Sequence, residues 1–269
     1  MNILTRLHGS REIDVRFAVS TKKQTMRISL LDLPITLADE QSAMTQMASI
    51  LENGDRHQSK WVCFLNANNF TQAMRSNDCA STMKSAFAVY PDGIALRLAS
   101  RLHGIRIDHN LPGTYLVPKL MTKARDNGYR CYLLGGTDAE VAAAASAVTK
   151  LFRGWQLAGF SCGYFQQHQE PDIVNGIRSS GADLLLVGMG TPEQELFVQR
   201  NASVLQVPLI ICVGGLFSYW NRRLNMAPRI VRRFNLEWLW ILSQQPHKWR
   251  RYTIGVMQFL VYIVKGKLK

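Results

Sequence analysis

The chain carries little acid, few cysteines and no long apolar run, and each shortage closes off a class of protein. Its five cysteines, Cys63, Cys79, Cys131, Cys162 and Cys212, include no C-x-x-C pair. An odd number of thiols, three of them inside apolar runs, excludes a disulfide framework or a zinc site and predicts a reducing compartment. No stretch reaches the roughly 18 apolar residues that cross a bilayer. The longest, Tyr252–Val264, is interrupted by Thr253, Gly255 and Gln258. The opening MNILTRLHGSREIDVRF has no apolar h-region, so no secretory leader is expected and the cytoplasm is the expected location. There is no D-x-D pair and no His/carboxylate cluster, so neither a metal nor any other cofactor is expected. G-x-G-x-x-G and the phosphate-binding P-loop are missing too, which excludes dinucleotide and ATP binding of those kinds. No internal repeat or low-complexity tract is present.

What is abundant is positive charge, and it is unevenly placed. The net charge is +13, from 32 basic and 19 acidic residues. Residues 222–269 hold eleven Lys or Arg and one acid, Glu237, so the tail carries +10 and the first 221 residues only +3. A near-neutral body with a basic tail is built to meet something anionic at one end: nucleic acid, anionic lipid or a diphosphate.

Short apolar runs recur along the body, each followed by a polar loop and a helical pattern. Trp61–Asn66, Ala86–Tyr90, Arg130–Leu134, Asp183–Gly188 and Pro208–Val213 read as buried strands. Between them 37–53, 93–103, 113–127, 137–152 and 192–205 read as helices, the Ala-rich 138–150 on propensity alone. Such alternation predicts an α/β fold, a Rossmann-like, mostly parallel sheet with helices on both faces. Ligands in such sheets bind beyond the carboxyl ends of the strands. The loops there are Asn66-Ala-Asn68-Asn69, Pro91-Asp92-Gly93, Gly135-Gly136-Thr137, Gly188–Glu195 and Gly214-Gly215. All five are expected to converge on one rim. After Trp220 the character changes, so 1–221 is read as the core and 222–269 as a basic helical appendage.

Two loops carry chemistry. Pro91-Asp92-Gly93 is ordinary turn chemistry, but its place at a strand end suits Asp92 to take a proton from an attacking hydroxyl. In Gly188-Met-Gly190-Thr191-Pro192-Glu-Gln194-Glu195, the spacing predicts Thr191 as helix cap and Pro192 as first helical residue. That leaves free backbone N–H groups for phosphate, with Gln194 and Glu195 in reach of a sugar hydroxyl. In the tail, Trp249, Tyr252, Val256, Phe259, Leu260 and Ile263 recur on one helical face flanked by Lys248, Arg250, Arg251, Lys265 and Lys267. A basic amphipathic helix of this kind is expected to lie in an anionic membrane interface.

In order, Asn66-Ala-Asn68, Pro91-Asp-Gly93, Leu133-Leu-Gly-Gly136, Gly163-Tyr-Phe165, Asp183–Gly190, Pro192-Glu-Gln-Glu195, Val213-Gly-Gly215, Ala227-Pro228, Leu236-Glu-Trp-Leu239 and Pro246 with Arg250-Arg-Tyr252 resemble one family. It is the WecG/TagA/CpsF glycosyltransferases, glycosyltransferase family 26. The resemblance implies a metal-independent, inverting enzyme on the inner face of the cell membrane. It would move glucose, N-acetylmannosamine or its uronic acid from UDP to a polyprenyl-diphosphate-linked saccharide, in exopolysaccharide or cell-surface polysaccharide synthesis. By the same resemblance Asp92 is the base and Asn66, Asn68 and Gln194 bind the donor, while the glycine turns at Gly136, Gly188 and Gly190 and the first-turn Glu195 are read from the sequence as completing the donor site. Arg229, Lys248 and Arg251 meet the diphosphate, and the appendage docks at the membrane. Nucleic acid is not an expected partner; a homo-oligomer is compatible. Three positions depart from the family pattern, with Asn110, Met226 and Ile241 standing where arginines are usual. An Arg lost from a bidentate site is not replaced in kind. The rival readings are a catalytically silent membrane-docked scaffold and, from another class, a nucleic-acid-binding module.

Overall fold

A computed structural model describes residues 25–124 and 127–267, without the side chains of Arg251 and Lys267. The N-terminus, where no leader is expected, and the diphosphate role of Arg251 therefore lie outside the described residues. The chain opens with an antiparallel hairpin, β1 (Met26–Leu30) and β2 (Leu33–Leu37). Then come α1 (Glu40–Asn53), β3 (Lys60–Leu65), α2 (Ala67–Arg75), α3 (Asn77–Ser85) and β4 (Ala88–Pro91). α4 (Ile94–Arg101) and α5 (Gly113–Lys123) lead to β5 (Arg130–Gly135), α6 (Asp138–Leu151) and β6 (Gln156–Ser161). The body closes with α7 (Glu170–Ser179), β7 (Leu184–Gly188), α8 (Glu193–Leu205), β8 (Leu209–Cys212) and α9 (Leu216–Trp220). The tail adds α10 (Arg229–Arg233), α11 (Glu237–Gln244), α12 (Trp249–Tyr252) and α13 (Ile254–Lys267).

All five expected strands form, within a six-stranded sheet of order β4-β3-β8-β7-β5-β6 whose pairings are all parallel. Alternate residues of each central strand feed opposite faces. Cys63, Leu65, Leu185, Val187, Ile210 and Cys212 join one apolar cluster with α2, α3, α7 and α8. Val62, Phe64, Leu184, Leu186, Leu209 and Ile211 join the other, with α1, α5, α6 and α9. A strand buried on both faces has no polar alternation, which is why these runs read as continuous apolar segments. Asp39 caps α1 by accepting from the Ser42 amide at 2.8 Å, and Thr137 with Glu140 forms a capping box on α6.

Several elements carried little signal. The β6 edge strand contains Gly159 and is half-exposed, so its pattern is diluted by polar residues. The hairpin turns at Leu31 and Asp32, both at positive φ (48° and 65°), without the Asn-Gly or Asp-Gly pair that announces such a turn. The helix read over 247–269 breaks at Thr253. The break changes which side of the tail faces where. Phe259 and Ile263, expected on the membrane face, are fully buried in the first cluster, and Phe259 meets Phe70 of α2 edge to face at 5.2 Å. The exposed apolar face keeps the expected Trp249 and Leu260 and adds Ile254, Met257, Val261 and Val264. The tail thus shares a core with the first 221 residues. Among the described residues no helix is long and apolar enough to cross a membrane.

Candidate active site

A cavity of about 540 Å³ opens at the carboxyl ends of β3, β4 and β8 and the loop after β7. Its wall includes Asn66, Asn68, Asp92, Gly190, Gln194 and Lys248, drawn from the body and from the tail. The strand order explains this convergence. β8 and β3 are neighbours, and the chain leaves them toward opposite faces of the sheet, to α9 after β8 and to α2 after β3, so loops splay apart above them.

Asp92 follows β4, and its amide donates to Leu65 O at 2.9 Å, tying the turn to the end of β3. Asn66 caps α2 through Oδ1, which accepts from the Asn69 amide at 3.0 Å. Its Nδ2 donates to Asp92 Oδ2 at 3.4 Å, so the cap also orients the carboxylate. Gly93, at φ 101°, donates its amide to Asn110 Oδ1 at 2.6 Å. Asn110, one of the three departures from the arginine pattern, therefore fastens the loop that carries Asp92. Ile241, a second, lines the cavity, whereas Met226 is exposed outside it.

The loop after β7 differs from its expected capping scheme. The N-cap of α8 is Pro192, with no side-chain cap hydrogen bond, and the Gln194 amide donates to Gly190 O at 2.9 Å. Thr191 turns inward instead, its hydroxyl donating to Glu195 Oε1 at 3.1 Å. Gln194 Nε2 donates to the same oxygen at 2.8 Å, while Gln194 Oε1 accepts from the Gly214 amide at 2.9 Å. Gln194 reaches the cavity wall; Glu195 is buried behind it and does not line the cavity. Burial pushes the Glu195 carboxyl up to about 7, against hydrogen bonds from Gln194 and Thr191 that pull the other way.

Two glycines expected in the site are elsewhere. Gly136 follows β5, which lies beyond β7 on the far side from the cavity, and its carbonyl accepts from the Gly163 amide at 2.8 Å. Gly188 is needed for packing, because a Cβ there would sit 2.8 Å from the Phe217 ring. The rim thus gathers four of the five expected loops. Arg229 is exposed and is not on the cavity wall.

The cavity also holds residues that received no role in it from the sequence: Tyr115, Tyr219, Glu237, Trp238, Trp240 and, expected instead on the membrane face, Tyr252 and Val256. Burial, then the nearby Asp92 charge, pushes the Glu237 carboxyl up. Arg232 stacks over the Tyr115 ring at 5.1 Å. These contacts join α5, α9 and the tail, which lie far apart in sequence, so the motifs at 236–239 and 250–252 did not by themselves place those residues in the site. The aromatic residues around the tail's single acid, Glu237, just after the Arg-rich segment, were a further signal.

As for metal ions, the donor atoms of Cys63, Glu195 and Cys212 lie within 4.8 Å of one another. All three are buried, Cys212 at the cavity wall and the other two behind it, and the Cys212 thiol is pushed up by its hydrogen bond with Cys63 and then by burial. With both thiols in the apolar core, this trio is a poor ligand set for a cation. Its thiolates would have to form in an apolar cluster.

A deep cavity over parallel strand ends, with the carboxylates of Asp92 and Glu237 and the cation of Lys248 on its wall, suits group transfer from an anionic donor. Comparison with known sequences decides the family. The profile of the glycosyl transferase WecG/TagA/CpsF family matches residues 28–269. The chain belongs to this family. It is therefore a glycosyltransferase. Similar curated proteins include the N-acetylglucosaminyldiphosphoundecaprenol N-acetyl-β-D-mannosaminyltransferase of Bacillus spizizenii, 28% identical over 226 residues, covering 83% of this chain and 87% of that protein. The Bacillus subtilis protein of the same name is 25% identical over 193 residues, covering 72% of this chain and 74% of its own length.

Proposed function

We propose that this transferase moves an N-acetylhexosamine of the mannosamine type, or glucose, from UDP to a sugar carried on polyprenyl diphosphate, with inversion and without a metal. The observation that carries the reading is Asp92, held by Asn66 and the β3 end on the wall of a cavity shared with Lys248 of the tail. The names of the Bacillus relatives favour the mannosamine type and an acceptor whose first sugar is N-acetylglucosamine.

In this reading Asp92 accepts the proton of the acceptor hydroxyl as its oxygen attacks the anomeric carbon. The new C–O bond forms as the bond from that carbon to the diphosphate oxygen breaks, on the opposite face, and UDP leaves with the electron pair. Lys248, and Arg232 beside Tyr115, take up the charge of the departing diphosphate. Arg232 thus serves in place of Arg229, and it compensates for arginines absent at Asn110 and Ile241. Asn68 and Gln194 hold the donor sugar. Arg251 keeps the diphosphate role implied by family resemblance.

The exposed face of α13, with Met257, Val261 and Val264, rests on the membrane that holds the acceptor. Lys265 and the neighbouring basic residues meet its anionic headgroups. This makes a peripheral enzyme on the cytoplasmic side. The product feeds assembly of a cell-surface polysaccharide.

Calorimetry with UDP-N-acetylmannosamine and other UDP- and GDP-sugars in chelator, paired with turnover on a lipid-diphosphate acceptor, tests the reading. Metal-free binding by wild type and Asp92→Asn, with turnover by wild type alone, is the expected result. No nucleotide-sugar binding under any condition would overturn it.

A further inference from the structure

Glu195 stands on the inner side of the cavity wall, one residue from a side chain that lines it. It has no exposure to solvent, and among the described residues it forms no ion pair. One oxygen is fully engaged, accepting from Thr191 Oγ1 at 3.1 Å and from Gln194 Nε2 at 2.8 Å. The other, Oε2, is buried with no hydrogen-bond partner among the described residues. One carboxyl oxygen of Glu195 and the Cys63 and Cys212 thiols, which belong to neighbouring strands, lie within 4.8 Å of one another. An acceptor-only carboxylate placed so would leave a buried charge against sulfur and hydrocarbon. A carboxylic acid fits, with its carbonyl oxygen serving the two donors and its hydroxyl on the unpartnered oxygen.

The engaged oxygen has a consequence for Gln194. Its side-chain amide fits in only one orientation, because Oε1 takes the Gly214 amide at 2.9 Å while Nε2 serves Glu195. A flip would set N–H against N–H and oxygen against oxygen at once. Fixed this way, Gln194 keeps the second lone pair of Oε1 for an incoming hydroxyl donor.

We propose that Glu195 is a positioning residue for the sugar-nucleotide site, a buried carboxylic acid that locks the amide of Gln194 and the Thr191 hydroxyl in their donor-receiving arrangement. The inference rests on the transferase reading above. It replaces the direct sugar contact expected for Glu195 from the sequence. Titration of Glu195 then couples to donor binding. The groups facing it are Glu193 on its own helix, Cys79 on α3, Cys63 on β3 and Cys212 on β8, all of them neutral or negative. When Glu195 ionises, only the hydrogen bonds from Gln194, Thr191 and the backbone offset the charge, with no cation among the groups facing it, and the charge then repels the donor's diphosphate.

The test is the dissociation constant of UDP-N-acetylmannosamine, a diphosphate diester that does not itself titrate near neutrality, measured from pH 5.5 to 8.5 for wild type and Glu195→Gln. The neutral isostere keeps an acceptor for Gln194 and Thr191, so its affinity is expected within about twofold of wild type at the acid end. As pH rises through about 7, wild type is expected to weaken roughly threefold to tenfold while Glu195→Gln shows no step. Parallel profiles, or a Glu195→Gln affinity as poor at pH 6 as that of Glu195→Ala, would overturn the proposal while leaving the transferase reading intact. If wild type fails to bind at every pH, it is the transferase reading that falls, and the inference with it. Should Glu195→Gln not fold, Thr191→Val serves instead. It removes one donor that favours the carboxylate, so the step must move to higher pH, and an unmoved step counts against the proposal.

Discussion

Asp92 and Glu237 are two carboxylates in one cavity, and their environments differ in kind. Asp92 sits in a tight turn with Asn66 Nδ2 at 3.4 Å, whereas Glu237 comes from α11 of the tail and is raised by burial and then by Asp92. Since the Asp92 charge is one cause of the Glu237 shift, Asp92→Asn should bring the Glu237 carboxyl back toward its ordinary range, visible as a downward move of its carboxyl carbon titration by NMR. The same variant should lose about 10² to 10⁴ in kcat while donor affinity stays within a fewfold, if Asp92 acts as base. An unchanged kcat would remove it from that role. At this scale the sequence was legible where a residue's neighbours are local. Asn66, Asn68, Asp92, Gly190 and Gln194 all stand on strand-end loops and reach the wall as expected. Glu195 shows the limit, since adjacent residues in the first turn of a helix point about 100° apart, and only packing decides which one meets the cavity.

At the scale of elements, α13 is the most informative. It carries apolar residues almost all round, so its sequence does not choose between packing on the body and lying on a bilayer. The structure divides the work. Phe259 and Ile263 are buried against α2 and the first cluster, and Met257, Val261 and Val264 are exposed. Phe259→Ala should therefore destabilise the protein by about 3–5 kcal/mol in urea unfolding, through lost contacts and the cavity left behind. The double substitution Met257→Glu with Val261→Glu should leave the melting temperature within a few degrees but sharply reduce flotation with anionic liposomes. Undiminished flotation would sink the membrane role of this face. Strands buried on both sides and the Ala-rich α6 were legible because burial and propensity act locally. The exposed β6 edge and the hairpin without a glycine turn were not, because neither strand repeats a pattern that a single sequence displays.

For the molecule as a whole, the buried carboxyl beneath the cavity sets a pH dependence of stability. Glu195 holds its proton up to about pH 7 in the folded state, whereas an unfolded glutamate releases it near 4.5. Between those values the folded state binds more protons than the unfolded one, so stability falls as pH rises. The contribution is complete below about pH 4.5 and lost by about pH 7, amounting to about 3 kcal/mol. Glu170 acts oppositely. Its hydrogen bonds to Arg200 hold its carboxyl low, so its smaller, partly exposed contribution is present at neutral pH and lost in acid. Denaturant unfolding of wild type and Glu195→Gln across pH 5 to 8 checks this, with a downward slope expected for wild type alone. A wild-type slope matching that of the variant would place the proton elsewhere.

Short stretches of sequence suffice for the parallel α/β sheet, the strand-end loops, the placement of Asp92 and the concentration of charge in the tail. Each of these follows from periodicity, propensity or composition over a few consecutive residues. The folded arrangement was needed to show that the tail shares the body's core and lends Glu237 and Lys248 to the cavity, that β5 stands too far along the sheet for Gly136 to take part, and that Glu195 turns inward beneath Gln194. Those outcomes depend on which strand inserts between which others and on which side chain is sealed from water, and both are settled by contacts between residues far apart in the chain.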